Sequence, residues 1–388
     1  MRVKLTDLFR KSKSPSDDSP ESHGESATVT QTERQERSAP ASHAATRKAR
    51  HPTAPSVAHG LLNVRCVLIW LSRFGWLTAR QIARLCWTDA ADPMAAAFKA
   101  LRKYVAAGVI EERKLPNRYR ALTLTQAGAD YLATVGIAGA KSGKDLLRHA
   151  GPRDSWFHRW VANEYLIESH LLNVNRFYTE YEIYGHRSPL SEPYRRLGHK
   201  VMASWLGKIP DGLVVERGNA TWQSFEWVEV ENSKRRKSDA YSLARFLIRG
   251  LHTRSIDQGR LQLFNVTLLF PYCADQSDTV ADVQSRIQWI TRALDRAAAD
   301  YAKSDTDLSA SDLKNQVYPY IYIVMMDVTP QLRTRHVARI AALDYLLEDG
   351  IRGAVHRRLI DSLRTDDPDD SSTTWLVDED RRVYPGKP

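Results

Sequence analysis

The sequence has few cysteines and no long apolar run. Its 388 residues include 3 cysteines, Cys66, Cys86 and Cys273, which lie far apart without metal-ligand spacing. A disulfide framework is therefore not expected, and the cysteines are interpreted as buried or free thiols in a reducing compartment. No stretch approaches the roughly 20 apolar residues of a spanning helix, and the N-terminus lacks the apolar region of a secretory signal. We therefore expect a cytoplasmic protein without membrane insertion.

Acidic residues are outnumbered by basic ones. The formal net charge is +10 and the isoelectric point is about 9.4. Such an excess favours a polyanionic partner, and nucleic acid is the commonest one for a basic protein of this kind. The length allows two or three domains, and 43% hydrophobic residues suffice to build their cores.

Large apolar residues are almost missing from the first 58 positions after Phe9. A segment of this composition cannot bury enough surface to offset its ordering entropy, so residues 1–58 are expected to form a disordered basic arm. The run TRKARH at its end could contact phosphates or could be a solvated tail.

Residues 59–136 have the pattern of a winged helix-turn-helix domain. A helical apolar run begins near Leu61, Thr78 and Gln81 form a capping box, and Asp92-Pro93 begins a third helix, 94–107. A predicted hairpin, 109–114 and 118–124, and a further helix follow. The face Met94, Phe98, Leu101 and Val105 is expected to be buried.

The cations of this segment fall where a winged helix contacts DNA. The third helix would enter the major groove and the hairpin would lie along the backbone. The expected DNA-binding residues are Lys99, Arg102 and Lys103 on the helix and Arg113, Lys114, Arg118 and Arg120 on the hairpin. A winged helix used only for protein contacts is the alternative.

Residues 150–330 alternate strand-like and helical runs, which indicates an α/β domain with a mixed sheet. The run FYTEYEIYG, 177–185, is one of the predicted strands. Residues 331–388 are interpreted as a C-terminal extension in which HVARIAALDYLLEDG forms a helix and the acidic DDPDDSS belongs to a flexible tail.

Two glutamates end a strand-like run after a Pro-Asp-Gly turn. Because side chains alternate along a strand, Glu229 and Glu231 share the face of Phe225 and Trp227. Carboxylates so placed repel each other unless a proton or a cation intervenes. Asp211, on a turn that can adjoin the neighbouring strand, would add a third oxygen donor, and such a hard ligand set suits Mg²⁺ or Mn²⁺.

Pro210-Asp211 followed by Glu229-Val230-Glu231 resembles the core motif of the PD-(D/E)xK nucleases, which have a restriction-endonuclease-like α/β fold. The resemblance implies that Asp211 and Glu229 bind a metal. Glu231 occupies the position of the usual lysine, as in an ExE variant, so the lysine that assists the attacking water is not at its usual position. Lys234 could take that role.

The order of helix HRWVANEYLIESH, PDG and EVENS is similar to MobC-type plasmid relaxases and the wider replication-relaxation group. The resemblance covers residues 60–330. It implies a bacterial enzyme that nicks one strand at a transfer origin, with other relaxosome proteins and a coupling protein as partners. His158 would be catalytic and Glu164 would bind metal with Asp211, Glu229 and Glu231, although the two helical residues point about 120° apart.

Two other functions fit the same sequence. One is a winged-helix replication initiator or transcriptional regulator with an inactive nuclease fold, which Glu231 in the lysine position favours. The other is a restriction-type nuclease, which would cut both strands as a dimer. None of the 16 tyrosines lies in a motif typical of a nucleophile, so hydrolysis by an activated water is the expected chemistry.

Overall fold

The structure, a computed structural model, is a mixed α/β fold. It describes residues 54–115, 119–143, 154–173, 176–185, 187–189, 209–218, 223–232, 236–254, 261–273, 279–305 and 307–343. The chain divides into two compact units, Met1–Arg65 and Cys66–Pro388. Most of the predicted arm, 1–58, lies outside the described residues, and the first unit is described only from Ala54. The predicted boundary near 137–150 falls within the second unit.

A group of four helices and a small sheet comes first in the described part of the chain. Its elements are α1 Ala54–Phe74, β1 Trp76–Leu77, α2 Ala79–Cys86, α3 Pro93–Ala106, β2 Ile110–Lys114, β3 Arg120–Leu124 and α4 Gln126–Thr134. The three strands are antiparallel in the order β1-β3-β2. This confirms the predicted order of helices and hairpin.

The helix starts follow the capping residues of the sequence. The Thr78 hydroxyl accepts from Gln81 N while the Gln81 side chain accepts from Thr78 N, which completes the capping box. The Asp92 carboxylate accepts from Ala95 N at 2.9 Å. Each cap satisfies an amide that the first helical turn leaves without an intrahelical partner.

The buried face of α3 differs from the predicted one. Phe98 is 49% exposed, whereas Ala97, Leu101 and Tyr104 are buried. These three residues recur at intervals of four and three, so the buried stripe keeps Leu101 of the expected face but has Ala97 and Tyr104 in place of Phe98 and Val105. The prediction that Phe98 is a core residue was wrong.

The rest of the described chain forms a six-stranded sheet with helices. Its elements are α5 Asp154–Asn173, β4 Phe177–Thr179, α6 Glu180–Tyr184, β5 Gly212–Gly218, β6 Gln223–Val230, α7 Lys237–Thr253, β7 Leu261–Tyr272, α8 Thr279–Asp305, α9 Ala310–Val317, a 3₁₀ turn Tyr318–Tyr320, β8 Ile321–Val328 and β9 Thr334–Ala342. The order is β4-β5-β6-β7-β8-β9. Strands β6, β7 and β8 are mutually parallel, and the flanking strands are antiparallel.

The two faces of β6 pack against different parts of the structure. Phe225 and Trp227 belong to the apolar core that α7 and α8 complete, and the Trp227 ring lies 4.5 Å from that of Phe246. On the opposite face, Tyr165 of α5 donates to Glu226 at 2.6 Å. The alternation places Glu229 on the side of Trp227, whose Nε1 donates to it, and Glu231 follows the end of the strand.

Two predicted elements have a different secondary structure. Residues 336–342 of the predicted C-terminal helix, 336–350, lie in β9 Thr334–Ala342, which pairs antiparallel with β8 and so satisfies the backbone of that strand. Residues 344–350 lie outside the described residues. The predicted strand 177–185 ends at Thr179, where a capping box with Glu182 begins α6. The acidic tail lies outside the described residues. No helix in the described part of the chain is long and apolar enough to cross a membrane.

Candidate metal centre

Three side chains from separate elements meet at one end of the sheet. Ligand atoms of His158, Asp211 and Glu229 all lie within 4.8 Å of one another. Their residues stand 71 positions apart at most along the chain, from 158 to 229. The predicted Asp211 and Glu229 are thus brought together, and His158 joins them.

Backbone pairing fixes Asp211 beside the end of β6. Strand β5 runs antiparallel to β6, with Gly212 opposite Val228, so the residue before β5 adjoins the last residues of β6. Asp211 N donates to Val228 O at 3.1 Å, and Val230 N donates to Asp211 Oδ2 at 2.8 Å. Asp211 therefore extends the pairing of β5 with β6 by one residue. Its backbone amide donates to β6, and its carboxylate accepts from β6.

Glu229 is held from the same strand. Its side chain is buried, with 0% exposure, and Trp227 Nε1 lies 3.4 Å from Glu229 Oε2 as a donor. A buried carboxylate is stable as an anion only where donors or a cation compensate its lost hydration. With Asp211 only 6% exposed nearby, two buried carboxylates are placed where one cation could contact both.

His158 reaches this pair from the first turns of α5. Its Nε2 lies 2.8 Å from Asp211 Oδ2, and its Nδ1 lies 3.3 Å from Asn232 Oδ1. When Nδ1–H donates to Asn232, the neutral ring directs its Nε2 lone pair towards the carboxylates, as in a metal-ligating histidine oriented by a second group. Without a cation, the 2.8 Å contact is a hydrogen bond that Nε2–H donates to Asp211; with a cation bound, Asn232 would accept from Nδ1–H and leave Nε2 as the ligand.

The donor set fits a divalent cation. Two carboxylates and one imidazole provide two oxygen-donating groups and one nitrogen, and a transition ion such as Mn²⁺ tolerates this mixture better than Mg²⁺, which prefers oxygen alone. The residues that would hold the cation are His158, Asp211 and Glu229.

Glu231 lies beyond this cluster and beside a buried arginine. Its peptide oxygen accepts from Arg286 Nη1, and Arg286 also donates to Pro271 O at 3.0 Å. Burial lowers the pKa of the Arg286 guanidinium, while Asp282 and Glu231 oppose that effect. The sequence reasoning missed Arg286, although its place within an apolar stripe with Val283, Ile287 and Ile290 was the signal.

Glu164 is not brought to the cluster. Its Oε2 accepts from Arg84 Nη1 at 2.9 Å and from Thr334 Oγ1 at 3.2 Å. Six residues beyond His158, its side chain leaves α5 in another direction. Burial raises the pKa of Glu164, and Arg84 opposes the shift. The structure therefore places Glu164 in an ion pair with α2. The predicted catalytic Lys234 lies outside the described residues.

The predicted DNA-binding residues divide into two groups. Lys99, Arg102 and Lys103 are exposed on α3, and Lys114 is exposed on β2. In the hairpin, Arg113 pairs with Glu111 at 2.7 Å and Arg120 pairs with Glu112. These two carboxylates offset the hairpin's positive charge, a feature that the sequence reasoning did not weigh. Arg118 lies outside the described residues.

Comparison with known proteins gives no match: no family model, no characterised protein and no solved structure is significantly similar to the chain.

Proposed function

We propose that the chain is a DNA-binding, metal-dependent nuclease that nicks one strand of duplex DNA at the transfer origin of a mobilisable element. The observation that carries this proposal is the convergence of His158, Asp211 and Glu229 within 4.8 Å at the end of the sheet. Their order in the chain also fits the resemblance to MobC-type relaxases. Other relaxosome proteins and a coupling protein are the partners that this function implies.

All three residues of the cluster would hold the cation, through different atoms. Asp211 and Glu229 would hold the cation through their carboxylates, and His158 would hold it through Nε2 while Asn232 keeps the ring in place. A cation bound there, Mn²⁺ or Mg²⁺, would polarise a phosphoryl oxygen and lower the pKa of a bound water. Burial of both carboxylates strengthens their hold on the cation because water screens them less.

The exposed cations of α3 support a DNA-binding role for the first group of elements, which we interpret as a winged helix. Lys99, Arg102 and Lys103 lie on its solvent side while Leu101 and Tyr104 are buried. Such a helix can enter a major groove without disturbing its own core. The net charge of +10 favours the approach of a polyanion.

A binding protein with an inactive nuclease fold is the second candidate. Glu231 stands where the nucleases that this motif resembles usually have lysine, and the nearby Arg286 guanidinium donates to the peptide oxygens of Glu231 and Pro271. A cation so engaged is poorly placed to assist a water molecule. This arrangement favours a replication initiator or transcriptional regulator.

A nicking assay separates the two candidates. Supercoiled plasmid carrying the DNA that flanks the gene is incubated with the protein and Mn²⁺, Mg²⁺ or a chelator. We expect open circle with the metals, and a loss of at least about 100-fold in Asp211→Asn and Glu229→Gln, since each removes a ligand. Glu226→Gln, on the opposite face of the same strand, is the matched control and should keep its activity.

The site of the cut decides what kind of nuclease the protein is. One cut in one strand supports the relaxase proposal, and linear product from paired cuts supports a restriction-type enzyme. Specific binding without any cut, in wild type and variants alike, would show that the binding protein is the correct alternative.

A further inference from the structure

Two cysteines that are distant in sequence lie side by side in the structure. Cys66 is in α1 and Cys86 is the last residue of α2. Their Sγ atoms are 2.8 Å apart across a sequence separation of 20 residues. Both residues are partly exposed, so the pair is not sealed within the core. A disulfide bond is about 2.0 Å long, so the sulfurs need to approach by only about 0.8 Å.

We propose that Cys66 and Cys86 are a reversible oxidation site that forms an intramolecular disulfide. The inference does not depend on the proposed nuclease function. The third cysteine, Cys273, follows β7 in the sheet and serves as an internal comparison.

The oxidant would be a low-molecular-weight disulfide such as oxidised glutathione. The Cys66 thiolate attacks one of its sulfurs, the reagent's S–S bond breaks, and one glutathione thiolate leaves. Cys86 then loses its proton and attacks Cys66 Sγ, which displaces the second glutathione. Two electrons pass from the protein thiols to the reagent, and the two thiol protons end on the two glutathione molecules.

The local environment gives the two thiols different roles. The contact with Cys86 lowers the pKa of Cys66, because a neighbouring S–H stabilises its thiolate. The same contact and burial raise the pKa of Cys86. Cys66 is therefore the attacking group and Cys86 the resolving one.

The cross-link would lie within the first group of helices. Cys86 and Cys66 are both close enough to Tyr104 of α3 to raise the pKa of its hydroxyl, although burial is the larger cause. A bond between the sulfurs would tie α1 to α2 near Tyr104 of α3. It would also restrict the unfolded chain, so oxidation should raise the thermal unfolding midpoint.

Thiol counting in the full-length protein tests the site. Reduced protein is treated with oxidised glutathione, unfolded, and titrated with a chromogenic thiol reagent. Wild type should fall from three free thiols to one, and Cys273→Ala should fall from two to none. Cys86→Ala should stop at a glutathione adduct on Cys66. Dithiothreitol should restore the original count in every case.

Peptide mapping of oxidised wild type provides a second readout that needs no variant. A linked peptide pair containing Cys66 and Cys86, released by reductant, is the expected result. Retention of three thiols, a link to Cys273, or glutathione adducts without any protein cross-link would each overturn the proposal. A Cys86→Ala variant that fails to fold leaves the mapping result decisive.

Discussion

Glu164 has a buried carboxylate whose ionisation the structure makes unfavourable. Burial raises its pKa above the ordinary 4.5, with Arg84 as the main opposing group. The folded state therefore binds more protons than the unfolded state above that ordinary value, so this residue's contribution to stability is lost as the pH rises through the folded pKa. Glu164→Gln cannot titrate and should not show this loss.

The measurement is the free energy of unfolding in urea at several pH values on either side of 4.5 for wild type and Glu164→Gln. We expect the wild type to lose stability relative to the variant as the pH rises. Glu112→Gln, a change at an exposed position, serves as the control and should run parallel to wild type. A constant difference between wild type and Glu164→Gln would contradict the assigned direction.

The sequence predicted some of the residues of the candidate metal centre. Asp211 and Glu229 could be recognised because a turn and a strand end bring acids to one sheet end whatever the surrounding fold. The pairing of His158 with Asn232 depends on where α5 crosses the sheet, which no local pattern encodes. Glu164 lies in the same helix as His158, but its side chain points in another direction and pairs with Arg84.

Gly128 and Gly250 both lie in helices but have different neighbours. A methyl group at Gly128 in α4 would overlap the peptide oxygen of Val109 and lie 3.2 Å from Leu124 Cδ2. At Gly250 in α7 it would meet only Leu263 Cδ2, at 3.0 Å, the end of a side chain that can move. The two positions therefore differ in whether the neighbouring atom can move to make room for a methyl group.

Alanine should destabilise the protein at Gly128 but not at Gly250. Helix propensity favours alanine by about 1 kcal/mol at either position. We expect Gly128→Ala to lower the free energy of unfolding by about 1–2 kcal/mol net, because overlap with backbone outweighs propensity. Gly250→Ala should be neutral or stabilising. Urea unfolding checks both, and equal effects would show that the contact with Val109 is unimportant.

Exposed Lys103 on α3 provides a test of the proposed DNA binding. Lys103→Ala should weaken binding to all duplex sequences and lower the slope of log affinity against log salt by about 1, since one phosphate contact is lost. Fluorescence anisotropy at several salt concentrations measures this slope. Lys303→Ala, at an exposed position near the end of α8, is the control. An unchanged slope for Lys103→Ala would remove this residue from the interface.

Elements with strong local signals were predicted well from the sequence, and the others were not. Thr78 and Asp92 fix helix starts through contacts within three residues. The run 177–185 has strand-like residues, but the capping box of Thr179 and Glu182 makes its second half helical. Strand β9 depends on pairing with β8, a tertiary contact that overrides helical propensity.

Arginine contacts join the early helices to the sheet elements within the second unit. Arg84 pairs with Glu164 at 2.9 Å and also with Glu168, both on α5. Arg73 pairs with Glu182 at 2.8 Å and donates to Phe177 O at 2.6 Å. The helix that presents His158 is thus tied directly to α2.

Removing Arg84 should destabilise the whole second unit. Arg84→Ala leaves two buried carboxylates without their cation, and we expect a loss of about 3 kcal/mol in the free energy of unfolding. Adding Glu164→Gln should recover part of that loss, which a double-mutant cycle measures. Arg296→Ala breaks an exposed pair and should change stability by less than about 1 kcal/mol. A similar effect from both arginines would mean that burial does not govern the Arg84 contact.

The order of strands in the larger sheet has a consequence for how the chain is made. Each described strand pairs with the strand that precedes it in sequence, from β4 to β9. A chain leaving the ribosome can therefore add one strand at a time to a growing edge, and none of these strands must wait for a later one to be inserted beside it. Until β9 emerges, β8 is the growing edge of the sheet, so a nascent chain that stalls there would offer the unpaired backbone of β8 to another chain.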